Sequence, residues 1–124
     1  MRIIEAINGL DSLKQNTYTQ GDKIRWLSSL DWMVKKQVID CHEGGDQVSF
    51  DGYHEDTKVD TVLLIPAPYD EAYLRWLEAQ IDYANGEYGK YNNAMAMFNT
   101  VFNEFAKYYA RNHTPVRNGR RFIF

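Results

Sequence analysis

The sequence predicts a mainly α-helical single domain of the four-helix-bundle kind, and three observations support this prediction. The length of 124 residues suits one domain. Apolar residues recur at helical spacing in four separate segments, and glycine or proline signals lie between those segments. An apolar fraction of 44% is too high for a disordered chain, and a single cysteine excludes a disulfide framework.

The first two predicted helices lie between residue 2 and about residue 41. Residues 2–13 place isoleucines and a leucine on one stripe of a short helix. Thr19 is a suitable N-cap for the second helix, because Asp22 follows three residues later and complements the first-turn amides. The apolar stripe of the second helix continues to about Cys41.

Residues 42–66 break the helical pattern. Gly44-Gly45 and Asp51-Gly52 are turn signals, and the segment from Val48 to Phe50 alternates like a strand. The segment from Val59 to Ile65 is apolar and rich in β-branched residues. Two alternatives follow: a short β-hairpin, or a long acidic loop that projects from the helices.

The last two predicted helices form an antiparallel helix hairpin. Asp70 and Glu71 open the third helix, and Asn85-Gly86 ends it. The fourth helix begins between residues 87 and 93 and ends at about Asn112. Aromatic residues and one methionine recur along it at alternating steps of three and four, as in a heptad seam: Tyr88, Tyr91, Met95, Phe98, Phe102, Phe105 and Tyr109. We therefore assign residues 1–113 to the helical domain and residues 114–124 to a C-terminal tail.

Asp31 falls on the apolar stripe of the second helix. A carboxylate at such a position is costly unless it is paired or hydrogen-bonded. It is either a catalytic or metal-binding group, or a structural partner for an arginine, a tyrosine hydroxyl or a helix end. The nine tyrosines of the chain favour the structural alternative.

The fourth helix carries no charged residue from Tyr91 to Asn103. Asn92, Asn99 and Asn103 lie on a face other than the aromatic seam, with Ala96 between them. The surface helix of a monomer normally presents lysine and glutamate to solvent. Either the rest of the chain buries this helix all round, or the asparagine face contacts another subunit.

Charge is distributed unevenly along the chain, although the net charge is only −3. Eight acidic residues and one lysine lie from Glu43 to Glu71, whereas the last fourteen residues hold four arginines and no acid. We expect the two segments to meet, within one chain or between chains, or else to be a solvated loop and a loose tail. The candidate interface residues, beside the three asparagines, are Asp51, Glu55 and Asp56 in the acidic segment and Arg117, Arg120, Arg121, Phe122 and Phe124 in the tail.

Catalytic and metal-binding signatures are not found in the sequence. The run from His42 to Asp46 is similar to the zinc motif HExxH, but Asp46 replaces the second histidine and two glycines oppose the helix. Cys41, His42 and His54 lack a second ligand pair with finger-like spacing. We therefore expect no enzyme activity, cofactor or metal. The longest apolar run, residues 62–67, is too short to cross a membrane, and the N-terminus lacks the features of a signal peptide.

Several clusters of residues resemble a known family of proteins. They are Asn16-Thr17-Tyr18, Lys23-x-x-Trp26-Leu27-x-x-Leu30-Asp31, Leu63-Leu64-Ile65-Pro66-Ala67-Pro68-Tyr69-Asp70, Ile81-Asp82-Tyr83-x-Asn85-Gly86-Glu87-Tyr88 and Tyr91-Asn92-Asn93-x-Met95-x-Met97-Phe98-Asn99. In their order and spacing they resemble the head–tail connector (head-completion adaptor) proteins of bacteriophages and prophages of Firmicutes. The resemblance extends over nearly the whole chain before Pro115.

The resemblance implies a structural virion protein, assembled in the cytoplasm of the bacterial host. Such a protein forms a homo-oligomeric ring below the portal protein, contacts downstream tail or stopper proteins, and surrounds the passing DNA without reading its sequence. An isolated adaptor can be monomeric before it docks. No catalytic residue is carried over. Two alternatives stay open: a small phage DNA-binding or regulatory protein that uses the basic tail on phosphates, and a small enzyme with Asp31 and His42 in one site.

Overall fold

The computed structural model describes residues 1–116 and is mainly helical, as the sequence predicts. Within this range the chain forms four α-helices: α1 (Ile3–Leu13), α2 (Gln20–Gln37), α3 (Glu71–Ala84) and α4 (Tyr88–Asn112). Two short 3₁₀ segments, Ile39–Cys41 and Gly45–Gln47, follow α2, and residues 1–116 contain no β-strand. None of the described helices is both long and apolar enough to span a bilayer.

The predicted helix ends are largely confirmed. Thr19 Oγ1 accepts a hydrogen bond from the backbone N–H of Asp22 at 3.1 Å, and the Asp22 carboxylate accepts one from the N–H of Thr19. Gly86 follows α3 with a φ of +77°, the left-handed conformation that favours glycine after a helix. The second helix is shorter than predicted, because the last α-helical hydrogen bond runs from the Val38 N–H to the Val34 carbonyl and the chain then tightens into a 3₁₀ turn. Cys41, at the end of that turn, is exposed.

The core lies between α1, α2 and α3, and α4 packs against α3 on the outside. The buried apolar side chains of the first three helices include Ile3, Ile7, Leu10, Ile24, Leu27, Leu30, Val34, Tyr73, Leu77 and Ile81. The outer helix contributes three buried residues to this packing, Ala94, Phe98 and Phe105. The alternating aromatic pattern of α4 is therefore the face that it turns toward α3.

The first position of the predicted aromatic seam, Tyr88, does not belong to the core. It is 59% exposed, and Tyr83 opposite it is 57% exposed. Only three residues connect α3 to α4, so the first turn of α4 lies at the tip of the hairpin, away from the core. The rings of Tyr83 and Tyr88 pack on each other instead, with their centroids 5.4 Å apart.

Residues 42–66 form a loop, and the predicted β-hairpin is not observed. The N–H groups of Ile3 and Ile4 at the start of α1 donate to the carbonyls of Thr61 and Val59. One isolated antiparallel bridge joins Arg2 to Val62. The carbonyl groups of Val59 and Thr61 thus accept hydrogen bonds from the N-terminus of α1 instead of from a second strand of a hairpin.

The loop does not project from the helices. The side chains of Tyr53, Leu63 and Ile65 are buried in the core, whereas the acidic residues between the anchors are exposed. The loop is therefore fastened across the bundle at several points.

Candidate assembly surfaces

Asp31 is the centre of a buried hydrogen-bond network that fastens the loop to the helices. Its side chain is fully buried in α2. The Tyr53 hydroxyl donates to Oδ2 at 2.6 Å, and the Leu64 N–H donates to the same oxygen at 3.1 Å. The Tyr73 hydroxyl donates to Oδ1 at 2.6 Å and accepts the N–H of Ile65 at 2.7 Å. One carboxyl group thus joins α2, α3 and the loop.

Burial dominates the electrostatics of this network. Desolvation raises the pKa of Asp31 above its usual range, although three hydrogen bonds to the carboxylate act in the opposite direction. Desolvation also raises the pKa values of the Tyr53 and Tyr73 hydroxyls, and the neighbouring Asp31 charge raises them further. Both tyrosines therefore remain hydrogen-bond donors at neutral pH.

The contacts of Asp31 agree with the structural alternative from the sequence, in which tyrosine hydroxyls are its partners. His42, which the enzyme alternative would place beside Asp31, is not among the groups that hydrogen-bond to it. Its Nδ1 lies 2.7 Å from the carbonyl oxygen of Val38 instead. Among residues 1–116 no group of three or more histidine, cysteine, aspartate or glutamate side chains is placed to hold a metal ion.

The loop presents an acidic surface, which we define as Glu43, Asp46, Asp51, Glu55, Asp56 and Asp60. All six residues are exposed, and Lys58 is the one basic residue among them. No lysine or arginine of the described chain lies within ion-pair distance of any of the six carboxylates. The candidate residues Asp51, Glu55 and Asp56 therefore lie on one continuous loop whose negative charge no basic side chain of residues 1–116 compensates.

The tail begins beside this acidic surface. The Glu43 N–H donates to the Thr114 carbonyl at 2.7 Å, and the Val116 N–H donates to the Cys41 carbonyl at 3.0 Å. His42 and Pro115 form an isolated antiparallel bridge between these two bonds. The two oppositely charged segments thus meet within one chain at their starting points. Arg117, Arg120, Arg121, Phe122 and Phe124 lie outside the described residues.

Three aromatic rings pack together next to the hydrogen bonds between residues 41–43 and residues 114–116. The rings of Tyr109 and His113 stack at 3.8 Å with an angle of 5° between them, and the His42 ring meets Tyr109 edge-on at 5.1 Å. His113 Nδ1 also lies 3.0 Å from the Tyr109 carbonyl, the helix-end contact that its position after α4 predicts. The part played by His42 could not be predicted, because it depends on a contact between distant parts of the chain.

The solvent side of α4 carries a second surface, which we call the α4 face: Tyr88, Asn92, Ala96, Asn99 and Asn103. All five residues are exposed. The prediction that the rest of the chain could bury α4 all round is therefore wrong for the described residues. The second alternative, contact with another subunit, stays a prediction. Asn92, Asn99 and Asn103 lie together on this face, as their spacing predicts.

A buried ion pair that the sequence analysis did not single out lies where α1 ends against the helix hairpin. Lys14 Nζ lies 2.7 Å from Asp82 Oδ1, which receives no hydrogen bond of ordinary geometry from the described chain. Asp82 is only 2% exposed. The pair lines a shallow groove with Lys90 and Met97. The sequence offered one signal for a buried Asp82, namely its position directly after Ile81 on the apolar stripe of the third helix.

Comparison of the chain with protein-family models, with curated proteins and with solved structures finds no match.

Proposed function

We propose that this chain is a structural phage virion protein, a head–tail connector or adaptor that assembles into a ring below the portal protein and links the DNA-filled head to the tail. Its partners are then the portal, the downstream tail or stopper proteins and further copies of itself. The five residue clusters described above support the proposal by resemblance. The observation on which it chiefly rests is the acidic surface, because its carboxylates have no basic partner among residues 1–116.

The acidic surface has the properties of an interaction surface with fixed geometry. Tyr53 and Leu64 bind the buried Asp31, so the loop that carries the carboxylates is anchored on both sides of Asp56. Charges held in this way are complementary to a basic segment in only a limited set of orientations. The surface therefore contributes specificity of docking more than affinity.

The basic tail is the matching element in this proposal. Eight residues follow Val116, and an extended chain of that length reaches about 26–29 Å. Arg117, Arg120 and Arg121 of one copy would contact the acidic surface of the next copy, and a head-to-tail contact of this kind closes into a ring when its rotation allows. Each exposed ion pair contributes only about 0–1 kcal/mol. Phe122 and Phe124 would supply the affinity by burial at the contact.

The same negative charge suits a channel through which DNA moves. Carboxylates that line a lumen repel the phosphate backbone, so the duplex does not adhere to the wall. This repulsion acts on the phosphates and not on the bases, in agreement with passage of DNA of any sequence. No catalytic step is needed for this role.

Electron microscopy and light scattering of the chain, alone and mixed with the portal protein of the same phage, test the proposal. We expect closed rings on the portal. A chain that stays monomeric in both samples would overturn the adaptor role. Titration with duplex DNA at low salt separates the DNA-binding alternative, which predicts a salt-dependent complex that weakens when Arg117, Arg120 and Arg121 are replaced by alanine.

A charge exchange sharpens the ring experiment. Glu55→Lys with Asp56→Lys reverses two exposed charges that have no ion-pair partner among residues 1–116, and we expect the ring to be lost. Adding Arg120→Glu and Arg121→Glu to that variant should restore it, because the opposite charges face each other again. Glu104→Lys reverses an exposed acid on α4, 3.9 Å from the Lys107 ammonium, and serves as the control outside the acidic surface. Rings that survive the double reversal would refute the loop–tail contact.

A further inference from the structure

The α4 face is an uncharged strip on a strongly charged protein. A quarter of all residues are charged. From residue 88 to residue 103 there is one charge, Lys90, and its ammonium lies 2.7 Å from the Glu87 carboxylate. Tyr88, Asn92 and Ala96 share the face with Asn99 and Asn103, and all five are exposed. No residue of the described chain covers the face.

A large aromatic side chain is exposed beside one end of the same strip. Tyr83 at the hairpin tip is 57% exposed, and its ring packs on that of Tyr88 with the centroids 5.4 Å apart. The opposite side of α4, with Phe98 and Phe105, is already used for packing in the chain. A contact through the α4 face would therefore bury exposed apolar surface without disturbing the core.

The order of residues along the face is self-complementary. Its positions are symmetric about a point between Met95 and Ala96. If a second α4 lies antiparallel across that point, Asn92 faces Asn99 of the second copy, and Tyr88 faces Asn103 of the second copy. An asparagine amide both donates and accepts, so it can pair with another amide or with a tyrosine hydroxyl. The small Ala96 lies beside the symmetry axis, where two helices approach most closely.

We infer that the α4 face is a self-association surface on which two copies of this chain pair antiparallel about a two-fold axis beside Ala96. A contact of this type is isologous, since each residue meets its counterpart in both directions. The symmetric order of residues along the face supports a second copy as the occupant, although each copy carries a net charge of −3. Two copies that met through their acidic surfaces would repel each other, whereas the α4 faces bring together only neutral groups.

The size of the face makes this pairing weak. Sixteen helical residues span about 22 Å, and a strip about 10 Å wide gives a footprint of about 220 Å². A stable interface of standard size buries about 800 Å² on each partner. The free chain should therefore be monomeric when dilute and dimeric when concentrated. Larger contacts in an assembly can replace the pairing.

Sedimentation velocity over a series from about 5 µM to about 500 µM, the range expected for so small an interface, tests the inference. We expect the sedimentation coefficient to rise with concentration. Ala96→Glu places two carboxylates beside the axis and should weaken the dimer by at least about tenfold. Ala110→Glu is the matched control: it makes the same exposed substitution on the same helix, at a position that faces no residue of the second α4. Circular dichroism of both variants verifies that the helices are intact.

Cross-linking tests the register. In a Cys41→Ser background, Ala96→Cys should form a covalent dimer in oxidised glutathione, and Ala110→Cys should not. A monomer at every concentration would overturn the inference, as would a dimer that Ala96→Glu leaves unchanged or that Ala110→Glu weakens equally. The ring experiment on the portal is separate from these measurements, so the adaptor proposal can fail while the pairing stands, and the reverse.

Discussion

The tyrosine hydroxyls around Asp31 allow a quantitative prediction of stability. Tyr73→Phe removes an oxygen that donates to Asp31 and accepts from the buried N–H of Ile65. The lost hydrogen bond to the carboxyl group costs about 1–3 kcal/mol, and the unsatisfied amide costs about 1–3 kcal/mol more. We therefore expect the free energy of unfolding to fall by about 2–6 kcal/mol. Tyr53→Phe removes only the bond to Asp31 and should lower it by about 1–3 kcal/mol.

Urea unfolding followed by circular dichroism at 222 nm, a wavelength that reports helix content, measures both values. Tyr108→Phe is the matched control, because the half-buried Tyr108 hydroxyl makes no hydrogen bond within the described chain. It should change the free energy by no more than about 0.5 kcal/mol. The reasoning is refuted if Tyr73→Phe destabilises the protein no more than Tyr53→Phe does, since the additional amide bond is the whole difference between them.

Two further predictions concern pH and a tight turn. Burial raises the pKa of Asp31, so from about pH 4 upward the folded chain keeps a proton that the unfolded chain releases. The contribution of Asp31 to stability is present below that range and is lost as the pH rises through it. The urea midpoint should therefore fall as the pH rises from about 4 to about 7, and this contribution should be absent in Asp31→Asn. If the midpoints of the two proteins change in parallel with pH, Asp31 is not the titrating group. Gly45→Ala would place Cβ 2.4 Å from the carbonyl oxygen of Ile39, so we expect a loss of about 1–3 kcal/mol in thermal or urea unfolding. Gly89→Ala in α4 is the control, because its added Cβ has no neighbouring atom within 4 Å, and it should stabilise the chain by about 0.5–1 kcal/mol. Equal effects of the two substitutions would show that the close approach of residue 45 to the Ile39 carbonyl is unimportant.

Local signals in the sequence account for the helices. The capping pair of Thr19 and Asp22 operates within one turn, so residue identity at fixed spacing was sufficient to predict it. The aromatic repeat of α4 likewise identified the face that packs on α3. It failed only at Tyr88, because exposure at the hairpin tip depends on where the neighbouring helices end.

The loop could not be predicted to the same degree. The segment from Val59 to Ile65 has the composition of a strand, but its backbone groups bond to α1 and to the Asp31 network. Those partners are distant in sequence, so no local pattern distinguishes the loop from a hairpin. The exposed position of Asn92, Asn99 and Asn103 is a further case, because the sequence marked the face as unusual without indicating whether the rest of the chain would cover it.

The buried Asp31 also has a consequence for the entropy of any docking event. Fixing the backbone of a free segment costs about 1–2 kcal/mol per residue when it becomes ordered on binding. Here folding itself orders the segment, because Tyr53, Leu64 and Ile65 are held by hydrogen bonds to buried groups. A partner that docked on the acidic surface, as we propose, would meet a loop that folding has already ordered, and little of the binding energy would be lost to ordering this side of the contact.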